Sequence, residues 1–274
     1  MLKLTFWGTQ GSYPSQIVDK GHYGSRTFCI SVEASDHSVL IIDAGTGIIP
    51  CGKYLAKSER DIYLLLSHLH WDHIQGFPFF DPLYQDRNIY FVEEEGIPVR
   101  EALLDQLDGV RFPVSASDLP AAMHDYSATC LLEATGVSVS SIRTHHPGVC
   151  YGYKLEYNGQ KIAIFSDNQL DLNDADEFKS FVDFVSGVDI LIHDAQFTME
   201  DMPHKCDWGH SVWNDVCDLA IAADVKSLFF IHHDPARSAT AIDQIVDSAQ
   251  QYIKDAGATL KCQAASDGLQ LLLD

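Results

Sequence analysis

The chain has 274 residues, 46% of them hydrophobic, and its 39 acidic and 18 basic residues give a net charge of -21. This length allows a sizeable core, whereas the charge would repel a long polyanion, because proteins bind nucleic acid largely through Lys and Arg on phosphates. Long DNA or RNA is therefore not an expected partner. A small phosphorylated ligand is still compatible with this charge, since bound divalent ions and protonated histidines can make an acidic protein locally positive.

The sequence also lacks the signals of a membrane or secreted protein. No run of about 18 apolar residues occurs, and no positively charged start leads into an apolar stretch. Seven cysteines are scattered without a CxxC pair, which favours reduced thiols over a disulfide framework. We therefore expect a cytoplasmic protein. No linker, repeat or low-complexity segment marks a boundary, so we expect one domain over residues 1–274.

The first part of the chain alternates strands with turns. Residues 2–7 predict a strand, and residues 28–33 and 38–43 predict a hairpin. The Gly-rich turn Asp43-Ala44-Gly45-Thr46-Gly47 is typical of a tight turn into a helix, which residues 48–57 supply, and a phosphate cradle is the weaker alternative. Residues 62–66 are apolar throughout, which predicts a buried strand.

Four side chains that bind metals follow this strand directly: His68, His70, Asp72 and His73. Alternate residues of an extended segment point the same way, so His68 and His70 can bind one ion from a single side. Asp72 and His73 follow after the chain turns and can face a second ion. Imidazole and carboxylate suit Zn²⁺, Mn²⁺ or Fe²⁺. Solvated loop residues are the alternative, but such a concentration behind a buried strand is rare.

The remaining elements suggest sheets packed together with helices outside, an α/β fold (α+β in some schemes). The strands are expected at residues 88–92, 137–142, 151–157, 161–165, 190–192 and 228–231, with a closing pair near 260–262 and 269–273. Asn158-Gly159 is a strong hairpin signal. Helices are expected at residues 99–107, 212–223 and 241–254, and residues 109–134 are expected to be less regular.

Histidine and aspartate recur at the ends of three of these strands. His145 and His146 follow residues 137–142, Asp167 follows residues 161–165, and His232 and His233 follow residues 228–231. Each of these taken alone fits a loop histidine, a capping aspartate or a turn before proline. Together with the first cluster, they predict one site built from strand ends.

In chain order, these residues resemble the ligand set of the metallo-β-lactamase superfamily, in particular its ribonuclease Z and phosphodiesterase branch. The resemblance implies a four-layer αββα sandwich with two divalent metal ions, zinc being expected and manganese or iron the alternatives. One ion would be bound by His68, His70 and His146, and the other by Asp72, His73 and His232, with Asp167 bridging the two.

At two places the chain has two consecutive histidines, and one of each pair must be selected as the ligand. We select His146 over His145 because the ligand of the family directly precedes Pro-Gly, and His232 over His233 because it comes first after the strand. The unselected histidine of each pair is either a group that orients a ligand or merely a neighbour.

Further motifs resemble the catalytic elements of ribonuclease Z. Trp208-Gly209-His210-Ser211 is similar to its Gly-His-Ser element, and His193-Asp194-Ala195-Gln196 to its His-Glu-Ala-Thr element, with Asp for Glu. By this likeness His210 donates a proton to the leaving oxygen or stabilises charge on the phosphate, and Asp194 orients His210. We expect His210, Asp194 and the ligand Asp72 to carry catalysis. The alternative for His210 is a structural role at the start of its helix.

At two positions this chain differs from related families, and each difference argues against one class of reaction. Asp167 stands where β-lactamases of this superfamily typically have cysteine, which argues against antibiotic hydrolysis. His70 stands where di-iron relatives that reduce oxygen have an acidic residue, which argues against redox chemistry.

The net charge of the chain and the sequence between Asp167 and His210 both favour a small substrate. This stretch contains no Gly-rich basic insertion to serve as the arm that holds transfer RNA. We therefore expect metal-dependent hydrolysis of a small phosphodiester, such as a cyclic nucleotide. The alternatives are ribonuclease Z-like RNA processing, thioester or lactone hydrolysis, and a metal-stabilised binding or sensor protein without turnover. Relatives are often dimers, so a homodimer is also considered.

Overall fold

The computed structural model describes residues 1–206 and 208–273 of the chain. These residues form two compact units, the first from residues 1–9, 26–139 and from 267 onward, and the second from residues 10–25 and 140–266. Among the described residues, no helix is both long and apolar enough to cross a membrane. The single domain expected over residues 1–274 stays a prediction, and its positions 207 and 274 lie outside the described residues.

The strands and helices are distributed over the whole chain. The strands are β1 (Leu2–Gly8), β2 (Cys29–Glu33), β3 (Ser38–Ile42), β4 (Asp61–Leu65), β5 (Asn88–Glu93), β6 (Ala122–Ser127), β7 (Ser138–Arg143), β8 (Tyr151–Tyr157), β9 (Gln160–Phe165), β10 (Ile190–Asp194), β11 (Ser227–Ile231), β12 (Lys261–Ala264) and β13 (Gln270–Leu273). The α-helices are α1 (Ile48–Leu55), α2 (Trp71–Ile74), α3 (Val99–Leu104), α4 (Leu131–Thr135), α5 (Ala175–Val185), α6 (Met202–Lys205), α7 (Trp213–Ala222) and α8 (Ala239–Asp255).

The first unit is built on a seven-stranded sheet in the order β13-β1-β2-β3-β4-β5-β6. Strands β3 to β6 run parallel to one another, and β4 lies in their midst with four of its five residues buried. A strand covered on both faces needs apolar residues throughout, which explains the unbroken run in the sequence. The carboxyl ends of β3 and β4 therefore meet at one edge of this sheet.

The second unit is built on a six-stranded sheet in the order β12-β11-β10-β9-β8-β7. Strands β9 to β12 are parallel, so β9, β10 and β11 end at the same edge. Strands β8 and β9 form an antiparallel hairpin. Its turn has positive φ at both Asn158 (49°) and Gly159 (83°), as a two-residue hairpin turn of the Asn-Gly type requires.

Helices α5, α7 and α8 supply much of the hydrophobic core of the second unit. Phe181 of α5, Val216 and Leu219 of α7 and Ile253 of α8 are buried together with sheet residues such as Leu191 and Leu228. This packing fixes the sheet from which the carboxyl ends of β9, β10 and β11 emerge.

The predicted α/β class and both predicted hairpins are confirmed, but three local expectations were wrong. The closing strands do not pair, because β12 lies beside β11 in one sheet and β13 beside β1 in the other. The stretch 109–134 contains the regular strand β6, and α4 begins within it. Helix α5 was not predicted, although its N-cap Asp174, which accepts a hydrogen bond from the Glu177 backbone N–H at 3.0 Å, is a recognisable start signal.

Candidate metal centre

In the first unit, the predicted ligands lie just beyond β4. His68 and His70 are in an extended segment, and Asp72 and His73 lie in the short helix α2. The His68 ring lies 4.5 Å from the His70 ring and 4.2 Å from the His73 ring, measured between centroids. The structure therefore brings these three imidazoles together, and Asp72 Oδ2 lies 3.4 Å from His73 Nε2.

Asp43, which follows β3, orients this group and was not predicted as a site residue. It is fully buried and adopts a positive φ of 62°, which is uncommon for a residue with a side chain. One carboxylate oxygen accepts the Ser67 backbone N–H at 2.6 Å. The other accepts the Ser67 hydroxyl at 2.6 Å and His73 Nδ1–H at 2.7 Å. A carboxylate behind a histidine in this way fixes the ring and directs Nε2 outward.

The Gly-rich turn after Asp43 is a packing turn. The backbone N–H groups of Ala44, Gly45 and Gly47 donate to the carbonyls of His73, Phe28 and Thr27 respectively, so they are not available to a phosphate. A side chain at Gly45 would place its Cβ 2.2 Å from the carbonyl oxygen of Asp72. Glycine is needed here because two backbone segments approach closely, and the weaker phosphate-cradle alternative is not supported.

In the second unit, the carboxyl ends of neighbouring parallel strands carry the predicted residues. Asp167 follows β9, Asp194 ends β10 and His232 follows β11. The register aligns Asp194 with Ile231, the residue before His232. Ligands commonly collect at this edge of parallel sheets. All three side chains are buried.

Asp167 faces two histidines with its two carboxylate oxygens. Its Oδ2 lies 3.6 Å from His146 Nε2, and its Oδ1 lies 3.4 Å from His232 Nε2. Both distances exceed the usual range of about 2.7–3.2 Å for an N–H···O hydrogen bond. They suit donor atoms that share divalent cations, and this set of imidazole and carboxylate donors matches the preference of zinc, manganese and iron. The residues therefore fit the expected metal ions.

Each of the three histidines near Asp167 is held by an oxygen at Nδ1. His146 donates to the Gly209 carbonyl at 2.8 Å, and His232 to Gln196 Oε1 at 3.0 Å. His210 donates to Asp194 Oδ2 at 2.7 Å. Such contacts fix the tautomer and the orientation of metal-binding histidines. Gln196 was not predicted to have this role, because only the folded chain brings it beside His232.

His210 belongs to the same cluster as Asp167 and His232. Donor atoms of these three residues all lie within 4.8 Å of one another, and the His210 ring stacks on the His232 ring at 4.7 Å and 22°. His210 Nδ1 is 3.9 Å from Asp167 Oδ2. Asp194, the acceptor for His210, also accepts the Gln196 backbone N–H at 2.9 Å. The ring of His210 is thus fixed against a buried carboxylate.

The adjacent histidines occupy different surroundings. The His145 ring is half exposed and lies 3.1 Å from Glu177, whereas His146 lies beside Asp167. His233 is buried and donates from Nε2 to the Ala265 carbonyl at 2.9 Å. Burial lowers the pKa of His233 to about 4 and also lowers the pKa of the fully buried His193, so both rings are neutral at pH 7.

Two glycines leave room for the histidines of the second unit. A Cβ at Gly11 would lie 2.3 Å from His232 Nδ1, and one at Gly209 would lie 2.5 Å from His146 Nδ1. Gly209 also has a φ of +80°, which disfavours any residue with a side chain. His232 itself adopts a φ of 58°. Backbone strain of this kind is common at functional sites.

We expect Gly11→Ala to displace the His232 ring and to lower the amount of divalent metal bound. Overpacking in a buried region costs about 1–3 kcal/mol of stability, so the folded protein should remain the main species. The measurement is metal content by mass spectrometry after saturation with zinc and gel filtration. Gly52→Ala is the control, because its Cβ would crowd the Phe80 ring at 2.8 Å without contact to any predicted ligand. Full metal binding by Gly11→Ala would contradict the expectation.

The chain is similar to several known proteins. A family model described as Beta-lactamase superfamily domain matches residues 39–233. Ribonuclease Z of Picrophilus torridus is 24% identical, over an alignment that covers 84% of this chain and 85% of that protein.

Two solved structures have the same fold at low sequence identity. The metallo-beta-lactamase fold protein YhfI from Bacillus subtilis has a TM-score of 0.71 at 18% identity, with 99% of this chain and 100% of that chain covered. A diphosphatase from the PhnP family has a TM-score of 0.69 at 18% identity, with 100% and 98% covered.

Proposed function

The chain belongs to the β-lactamase superfamily and has the metallo-β-lactamase fold, and we propose that it is a dinuclear-metal-dependent phosphodiesterase acting on small phosphodiesters. The family and the fold expected from the sequence are thereby confirmed, and membership supports a hydrolase. Within the proposed substrate class, cyclic nucleotides are the first candidates.

We propose that His68, His70 and His146 hold one ion, that Asp72, His73 and His232 hold the other, and that Asp167 bridges them. The support within each unit is that imidazole and carboxylate donors are grouped and that hydrogen bonds orient the rings of His73, His146 and His232. Divalent ions bound there would activate water and polarise the oxygens of a phosphate.

The observation that carries the proposal is the buried hydrogen bond of 2.7 Å between His210 Nδ1 and Asp194 Oδ2, next to Asp167. Asp194 fixes the ring through Nδ1, so that His210 Nε2 is placed to donate a proton to the leaving oxygen of a diester. A thioester hydrolase has less use for such a donor, because a thiolate leaves more readily than an alkoxide.

Ribonuclease Z-like RNA processing is the second candidate. It is supported by the relative from Picrophilus torridus, a ribonuclease Z that aligns with 84% of this chain. Against it stand the net charge of -21 and the lack of a Gly-rich basic insertion between Asp167 and His210, since a long RNA is held by basic side chains on its phosphates.

A substrate panel on zinc-loaded protein tests the proposal. Hydrolysis of cyclic nucleotides should be the most efficient reaction, by kcat/KM, among cyclic nucleotides, a transfer RNA precursor with a 3′ trailer, a thioester and a lactone. Efficient cleavage of the RNA precursor alone would establish the second candidate. Preference for the thioester or lactone would assign the protein to carboxylic substrates. Two bound metal equivalents without any hydrolysis would indicate a binding or sensor protein.

The location and assembly of the protein are also proposed. All seven cysteines are free thiols, and five of them are buried, which suits the reducing environment of the cytoplasm. A homodimer is the assembly that the family resemblance favours, and light scattering of the purified protein measures it directly.

A further inference from the structure

An exposed indole lies beside the proposed proton donor. Trp208 is 57% exposed, although it is only two residues from the buried His210. Its backbone N–H donates to the Lys205 carbonyl at 3.2 Å, and the Lys205 ammonium lies 5.8 Å from the centre of its ring. A fixed indole with an exposed face offers a flat apolar surface on which another ring can stack, and this one lies next to the proposed proton donor.

Phe197 connects Trp208 with His210. The Phe197 ring is fully buried and lies 6.5 Å from the Trp208 ring and 5.5 Å from the His210 ring, edge to face in both cases. The backbone of Phe197 is hydrogen-bonded to the backbone of Ser211 and of Trp213, which follow His210 in the sequence. One rigid aromatic group therefore separates the exposed indole from the proposed proton donor.

Lys205 adds a positive charge to this aromatic group. Its ammonium lies 4.6 Å from the centre of the Phe197 ring and donates to Asp234 Oδ2 at 3.0 Å. This cation is held in place by a carboxylate and two aromatic faces. Its ion pair with Asp234 neutralises one carboxylate beside Trp208, in a chain with a net charge of -21.

We propose that Trp208 is the surface on which an aromatic base of the substrate stacks, while the phosphate of that substrate lies at His210. This inference rests on the proposed function and narrows it to phosphodiesters that carry a nucleobase. Stacking on an aromatic side chain accepts any base, because every base has a π face. Trp208 is thus a specificity-determining residue, and Lys205 is a positioning residue for it.

The experiment compares two substrates that differ only in the base. One is a nucleoside 2′,3′-cyclic phosphate, and the other is the ribose 2′,3′-cyclic phosphate without a base. In Trp208→Ala, the preference of kcat/KM for the base-containing substrate should fall roughly 10- to 100-fold, mainly through KM, because an aromatic side chain contributes that much per stacked base. Trp208→Phe should retain most of the preference, since it keeps an aromatic ring.

Tyr54→Ala is the matched control. Tyr54 is 37% exposed and also lies under a lysine, with Lys3 Nζ 4.7 Å from its ring centre, but it contacts Glu33 rather than any site residue. Its removal should leave the preference unchanged. An equal preference in Trp208→Ala and the wild type would overturn the assignment of Trp208, even if the wild type hydrolyses both substrates as the proposed function requires.

Equilibrium binding separates this inference from the proposed function. Zinc-loaded wild type should bind a nucleoside monophosphate more tightly than Trp208→Ala by the same factor, whether or not the protein hydrolyses diesters. Isothermal titration measures this difference without turnover. Identical dissociation constants would overturn the stacking role, whereas failure of hydrolysis alone would overturn only the phosphodiesterase proposal.

Discussion

His210→Ala is expected to retain its metal ions and to lose about 100- to 10,000-fold in kcat, the usual contribution of a positioned general acid. The reason is geometric, because Nδ1 of His210 is committed to Asp194 at 2.7 Å and Nε2 is the nitrogen that can serve a leaving group. Steady-state hydrolysis of a cyclic nucleotide and metal content by mass spectrometry measure the two halves of this expectation.

His145→Ala is the control for this variant. Its imidazole is half exposed and lies against Glu177, so its loss should change kcat little. Equal turnover in the wild type and His210→Ala would remove the proton-donor role. Loss of metal from His210→Ala would instead show that His210 is a metal ligand. Such a role is geometrically feasible, because donor atoms of His210, Asp167 and His232 all lie within 4.8 Å of one another.

Asp167→Ala is expected to lose both bound metal and activity. Its two oxygens face His146 and His232 separately, at 3.6 Å and 3.4 Å, so its removal takes a carboxylate oxygen from beside each of these histidines. Because metal binding stabilises the folded state, addition of a chelator should lower the melting temperature of the wild type and change that of Asp167→Ala little. Calorimetry and metal analysis test this.

Asp171→Ala serves as the comparison for Asp167→Ala. Asp171 lies four residues further along and accepts a hydrogen bond from the Asn173 backbone N–H at 2.9 Å, so its removal should leave metal content and the response to chelator as in the wild type. Two equivalents of metal in purified Asp167→Ala would show that this carboxylate does not bridge.

Those parts of the site that depend on local sequence were predictable. His68, His70, Asp72 and His73 follow a strand whose apolar run is visible in the sequence, and their ligand chemistry is a property of the residue types. Asp43 and Gln196 were missed, because each gains its role only from a histidine brought to it by folding, at His73 and at His232. No local pattern distinguishes them from other polar residues.

The fold, too, was predictable only where local sequence determines it. Central strands such as β4 are apolar on both faces and were predicted, whereas β6 is an edge strand whose residues are all exposed or only partly buried, so it lacks the hydrophobic pattern of a strand. The pairing of β12 with β11 and of β13 with β1 joins segments that are far apart in the chain. Local periodicity identifies such strands without indicating their partners.

The close approach at Gly209 limits how this protein can evolve. The Gly209 carbonyl accepts a hydrogen bond from His146, a Cβ at this position would meet the same ring, and His210 is the next residue. A side chain at position 209 would therefore disturb both the proposed ligand His146 and the proposed proton donor His210. Position 208 is exposed and has no such restriction. With the proposed stacking role of Trp208, mutant libraries for altered substrate preference are therefore best randomised at position 208, with Gly209 and His210 kept.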